Sequence, residues 1–194
     1  MQFRDYYYYK TMQKQQKKWV QPKKCIGPSK LASILNMTPI WCTPAQLKQQ
    51  LENGYWDHNN HRIDFGNRKE AVGIEFYKRN RKVDVKQAYF ANALNRRIIG
   101  KADGLIGDDG GVEIKCHKDR DVLESIPPYY MVQVVAYMYL YKRAWWDFVS
   151  CSFKDDKLKK CRIFRVYWKN HRDTWQREWL PEIKKFINRV NWKK

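Results

Sequence analysis

The residues that invite chemistry lie in the stretch KADGLIGDDGGVEIKC. Asp103 precedes a glycine-rich turn, and Glu113 and Lys115 follow it, separated by Ile114. Successive strand residues point to opposite faces, so Glu113 and Lys115 share one face and Ile114 turns into the core. The turn signal at 107–111 predicts a hairpin that sets Asp103 beside Glu113 on adjoining antiparallel strands. Two carboxylates at short range repel, and a divalent cation between them offsets that cost. Hard oxygen ligands with open water positions suit Mg2+, with Mn2+ as a substitute. The lysine would then orient or deprotonate an attacking water and offset charge on a pentavalent phosphate. Taken alone, D-x9-E-x-K is weak evidence, because acid-x-Lys pairs on strands are usually solvated cross-strand salt bridges of little worth. Asp108 and Asp109 belong to the turn and stay outside the site.

Around this hairpin the pattern predicts helices, a strand meander, a helix, two strands and a final helix, an α/β (α+β) order. SKLASILNM places Leu31, Ile34 and Leu35 on one face of a short helix, with Pro28 in its first turn and Ser29 near its cap. Thr43-Pro44 opens AQLKQQLEN, which Gly54 closes. YWDHNNHRID reads as a polar loop, and FGNRKEAVGIEFYKRN as a third helix with Ala71, Ile74 and Tyr77 or Lys78 near one face. VKQAYFANAL and RRIIGKADGLI carry strand texture. PYYMVQVVAYMYLYKR is a long apolar helix in which an unpartnered Gln133 amide would be costly. AWWDFVSCSF and CRIFRVYW are strands around DDKLKK, with Trp145 and Trp146 in the packing. The end is an amphipathic helix interrupted near Pro181.

Composition narrows the partner. The 194 residues carry 39 Lys+Arg against 20 Asp+Glu, a net charge of +19, which favours a polyanion such as nucleic acid through counterion release. An anionic membrane surface is weaker, because no basic amphipathic anchor stands out and no apolar run has membrane length. Five cysteines without a CxxC pair read as reduced thiols of an intracellular, unsecreted protein. Residues 1–24 read as a basic, flexible arm, and 25–194 as one domain. His58 and His61 lack a third metal ligand nearby, and His117 lies where it could touch DNA.

Four segments in order resemble the PD-(D/E)xK nucleases, specifically the λ exonuclease/YqaJ-like viral recombinase branch. KADGLIGDDGGVEIKC is similar to that family's PDG, turn and ExKC strand. IGPSKLASIL resembles its ITAS-type helix start, FGNRKE its WGxxxE segment, and YYMVQVVAYMYLYKRAWWDFVS its YxxQVQ helix and following FV strand. Gln133 and Tyr137 also satisfy the QxxxY pattern of RecB-type nucleases. The resemblance implies a restriction-endonuclease-like core, a central mixed sheet flanked by helices. It further implies an Mg2+-dependent DNA exonuclease that digests duplex ends 5′ to 3′ and leaves 3′ single-stranded tails. In that reading Asp103, Glu113 and the Ile114 carbonyl hold metal. Glu70, with Glu75 as the fallback, holds a second metal or its water shell, and Lys115, steadied by Gln133, activates water. Ser29 would contact a 5′ phosphate, as helix starts do through free N–H groups. Lys23 or Lys24 would replace the missing family arginine as point charges, and Lys101 would lie near the phosphate. Ala102 stands where the family has proline. The resemblance also implies a viral or phage-like origin, an annealing-protein partner and a ring-forming homo-oligomer, a trimer. A structure- or site-selective endonuclease, or a non-catalytic DNA-binding module of the same fold, are the other readings.

Overall fold

The computed structural model describes residues 24–37, 42–53 and 61–192; Lys23, most of the basic arm and His58 lie outside them. A 3-10 turn, Pro28–Lys30, leads into α1 (Leu31–Ile34); α2 spans Pro44–Asn53 and α3 His61–Arg81. β1 (Ala91–Ala93) and β2 (Ile98–Gly100) form a small antiparallel ribbon. β3 (Gly104–Ile106), β4 (Gly110–Lys118), α4 (Pro128–Tyr141), β5 (Trp145–Lys154) and β6 (Lys157–Tyr167) follow. α5 (Trp168–Thr174), a π-helical turn (Trp175–Trp179) and α6 (Leu180–Arg189) end the described chain.

The main sheet has the order β3-β4-β5-β6. β3–β4 and β5–β6 are antiparallel hairpins, and β4–β5 is parallel. A parallel pair needs a crossover, and α4 supplies it. The expected mixed sheet flanked by helices is therefore the architecture found. No helix among the described residues is long and apolar enough to cross a membrane.

The alternation of β4 and β5 divides the core. Phe65 and Tyr77 of α3 pack with Val112, Ile114, Val149, Cys151 and Phe153 on one face. On the other, α1, α4 and α6 bury Leu31, Val132, Val135 and Ile183 with Trp146 and Phe148. α3 lies very close to the sheet at Gly73, where a Cβ would stand 2.5 Å from Ile114 Cγ2. Gly111 likewise lies against the Trp146 ring, with no room for a side chain.

The first face also buries a charge. Asp147, 0% exposed, accepts from Tyr77 Oη at 2.7 Å and from Arg165 Nε and Nη2 at 2.8 and 2.9 Å. A buried carboxylate needs such pairing. The bidentate guanidinium, which also stacks on Trp145 with 3.9 Å between Cζ and ring centroid, ties β6 to β5, and the Tyr77 hydroxyl ties α3 to the same carboxylate. Burial, followed by the Asp147 hydrogen bond, pushes the Tyr77 hydroxyl well above its ordinary pKa.

Several expectations change. The segment from His61 to Asp64 is the first turn of α3, not loop. Ala71 is exposed, and the buried residues are Phe65, Gly73 and Tyr77, because α3 needs its small residue against the sheet. VKQAYFANAL forms only the short β1 and an isolated bridge from Lys86 to Leu105. Lys157–Lys160 belong to β6, so the hairpin turn is Asp155-Asp156 alone, both with positive φ. The C-terminal helix continues through Pro181: the π-helical turn just before it relaxes the backbone where proline cannot donate and crowds the preceding carbonyls. Cys151 and Cys161 face each other across β5–β6 and are joined as a disulfide. Reduced thiols therefore remain only at Cys25, Cys42 and Cys116 among the described residues. The Thr43 opening holds: its hydroxyl accepts the Gln46 N–H while the Gln46 amide oxygen takes the Thr43 N–H, a capping box.

Candidate active site

β3 begins only at Gly104, paired with Val112, while β4 continues to Lys118. Beyond Val112 the β4 edge has lost its backbone partner, and Asp103 takes over: its Oδ2 accepts the Ile114 N–H at 2.6 Å. The N–H and C=O of one residue leave a strand on the same side, as exchanged pairs in antiparallel ladders require. The Ile114 carbonyl therefore faces the Asp103 edge as well.

Glu113 lies on the α4 side of the sheet, 3% exposed. Its Oε1 accepts from Lys115 Nζ at 2.6 Å and from Gln133 Nε2 at 2.7 Å. Its Oε2 is buried with no hydrogen-bond partner, a costly arrangement for a carboxylate oxygen. Gln133 reaches Glu113 from α4, so it meets Lys115 through the shared oxygen. Lys115 Nζ also lies 5.2 Å from the Tyr130 ring centroid. Burial alone would lower the Lys115 pKa, but Glu113 and Asp103 outweigh it and raise the value. Asp103 is raised well above the usual aspartate range, by burial and then by the Glu113 and Glu70 charges.

Glu70, half-buried on α3, is raised by burial and then by Glu113, against the lowering pull of Lys115 and Lys101. It therefore senses the same cluster from the other face of the sheet. Glu75 points outward and pairs with Lys78. Burial, Asp103 and Glu70 push the Cys116 thiol up to about 12, so it is no nucleophile.

The phosphate-binding set separates. Ser29 is exposed inside the 3-10 turn, and Gly27 occupies the cap position without a side-chain bond, so Ser29 is not the cap. Lys24 Nζ donates to the Trp192 carbonyl at 3.3 Å, which turns it toward the C-terminal segment. Lys101 is exposed beside the cluster, 5.9 Å from the Phe90 ring centroid. Tyr137 anchors the approach to Asp103, its hydroxyl donating to the Lys101 carbonyl at 3.2 Å. The Ala102 N–H donates to the Tyr141 hydroxyl, also at 3.2 Å. Sequence reasoning overlooked Tyr130 and Tyr141, although Tyr130 precedes Gln133 by three positions and so shares its helix face.

Among the described residues no three His, Cys, Asp or Glu side chains close on one point as a ready metal cage. A hard cation that keeps several waters does not need one. The donors here are oxygens: Asp103, the unpartnered Glu113 Oε2 and the Ile114 carbonyl. Burial and, after it, the neighbouring carboxylates raise Asp103; a cation offsets both costs, so the residues fit Mg2+.

Residues 17–142 match the family model described as the YqaJ-like viral recombinase domain. Among solved structures, the chain is similar to an alkaline exonuclease from Laribacter hongkongensis, with 22% identity and a TM-score of 0.68 over 85% of this chain and 87% of that one. The same enzyme in complex with dAMP matches at 21% and 0.67, over 88% and 90%. A phage-related exonuclease from Haemophilus somnus 129PT matches at 15% and 0.59, over 84% and 90%. At these identities the likeness is one of fold. No curated protein sequence matches the chain.

Proposed function

The chain belongs to the family of YqaJ-like viral recombinase domains, and from that premise we propose that it is a metal-dependent DNA exonuclease. It digests duplex DNA from a 5′ end and leaves a 3′ single-stranded tail. The observation that carries the reading is Glu113, a buried carboxylate with one oxygen holding Lys115 and Gln133 and the other without a partner beside Asp103. A structural ion pair would have no reason to bury that second oxygen unpaired. The solved exonucleases of the same fold support the assignment.

Asp103, Glu113 and the Ile114 carbonyl would hold Mg2+, with Glu70 at a second cation or its water shell. A bound cation would supply Lewis-acid charge at the scissile phosphodiester. Lys115, a raised and therefore charged ammonium in the resting site, orients the attacking water and balances negative charge gathering on the phosphate. Gln133 keeps Glu113 Oε1 in place, which sets the position of Lys115. Lys101, exposed at the rim, meets the DNA backbone, and the net charge of +19 draws the duplex in.

The test is digestion of linear against covalently closed circular duplex in magnesium, with linear ends bearing or lacking a 5′ phosphate. The expected result is loss of the linear form alone, in the 5′ to 3′ direction. Lys115→Ala and Asp103→Asn each abolish it. Cutting of the circle would mean an endonuclease, and undiminished activity in both variants would remove these residues from the chemistry.

A further inference from the structure

His117 lies two residues past Lys115 on β4 and so on the same face of the sheet. Its Nε2 is 2.9 Å from Ser150 Oγ. That oxygen already accepts the Leu123 N–H at 2.9 Å. Ser150 is 0% exposed and stands opposite Lys115 in the β4–β5 register. Among the described residues no other acceptor faces its hydroxyl proton, so the proton goes to Nε2; the reverse would leave a buried donor unpaired. With Nε2 an acceptor, the ring proton sits on Nδ1. Burial, then Arg120 and Lys115, lower the ring pKa and favour this neutral form. No group among the described residues pairs with Nδ1.

Two strand residues advance about 6.7 Å, on the order of one backbone step along a nucleic-acid strand. We propose that the His117 Nδ1–H donates to a non-bridging oxygen of the phosphodiester next to the one that Lys115 serves, and so sets the register of the strand being cut. Ser150 is a positioning residue that holds the tautomer. The exposed Arg120, whose charge reaches the ring, makes the surroundings suited to an anion, and a neutral N–H adds the directional contact that a point charge lacks. The inference rests on the nuclease reading above.

The experiment uses end-labelled duplex carrying a single methylphosphonate, an uncharged linkage, at the phosphate on the 5′ or the 3′ side of one internal scissile bond. In magnesium the wild type is slowed by one of these substitutions. His117→Ala lowers kcat/KM on ordinary duplex by about tenfold or more, as loss of a hydrogen bond to a charged group does, and is indifferent to that same substitution. His117→Asn, which keeps an N–H near the Nδ1 position, recovers much of the rate and of the sensitivity. A methylphosphonate penalty equal in wild type and His117→Ala overturns the contact. So does a wild-type imidazole that 15N NMR shows protonated on Nε2. Fluorescence anisotropy of the same duplexes with calcium replacing magnesium reads binding without cleavage. A wild type that shows the penalty in binding but cuts nothing overturns the nuclease reading and leaves the His117 contact standing. A binding penalty that survives His117→Ala overturns the contact whatever the cleavage result.

Discussion

Replacing Gly73 by alanine tests whether the distance between α3 and the sheet matters to the site. The added Cβ would meet Ile114 Cγ2 at 2.5 Å, about 1 Å inside ordinary carbon–carbon contact. Ile114 is β-branched and 6% exposed, so its methyl has little freedom to retreat. The helix must lift, and Glu70, one turn earlier, lifts with it from Asp103 and Glu113. Overpacking of this kind costs about 1–3 kcal/mol, while alanine in place of a helical glycine returns about 1 kcal/mol. Gly66→Ala, on the same helix with nothing within 4 Å of its added Cβ, isolates the propensity gain. The difference between the two variants is therefore the packing cost alone, about 1–3 kcal/mol, or roughly 2–12 °C in Tm for a chain of this size. Thermal unfolding measures that difference, and kcat on linear duplex measures the displacement of Glu70. Gly66→Ala should melt above the wild type, and Gly73→Ala below Gly66→Ala with kcat reduced. If both variants melt together and Gly73→Ala cuts at the wild-type rate, the close approach does not position Glu70 and the reasoning fails.

Asp147→Ala leaves Tyr77 and Arg165 without their buried partner and should destabilise by about 3–5 kcal/mol, with Tm falling by roughly 10 °C; chemical denaturation provides the check. Gln133→Leu suits the apolar α4 but releases Glu113 Oε1, so kcat should drop by about tenfold or more with the melting temperature little changed. Asp103 titrates well above the usual range, so the metal-free fold keeps a proton that the unfolded chain releases above pH of about 4. Metal-free stability therefore declines as pH rises from there through the raised Asp103 value. Magnesium should restore it, so the magnesium-induced rise in Tm grows between pH 5 and pH 8, and Asp103→Asn should flatten that growth.

The hairpin is legible because its signals are local. Glycines and aspartates mark the turn, and period-two alternation marks β4, so Asp103, Glu113 and Lys115 stand together as their spacing predicts. Gln133 is legible as an amide in an apolar helix, but its partner is not: spacing cannot tell that it reaches the glutamate and not the lysine. The buried ion pair of Asp147 is invisible in AWWDFVSCSF, because the guanidinium that makes its burial tolerable is 18 residues away. Ser29 illustrates the opposite error. A serine beside a helix start suggests a cap, yet Pro28 already occupies the first turn and pushes the cap back to Gly27. The disulfide follows from strand register, which the cysteine spacing alone does not specify.

The parallel pairing of β4 with β5 bears on when the site comes into being. Asp103 and Glu113 lie on one hairpin and can meet as soon as that segment is made. Gln133 lies 20 residues from Glu113, and β5 cannot reach β4 until the chain has passed through α4. Such non-local closure is slow compared with a hairpin. A chain that has folded only its local parts, or whose α4 has opened, therefore holds the carboxylates without the arrangement around them. The proposed phosphodiester cleavage is in this sense a property of the completed fold, withheld from the growing or damaged chain.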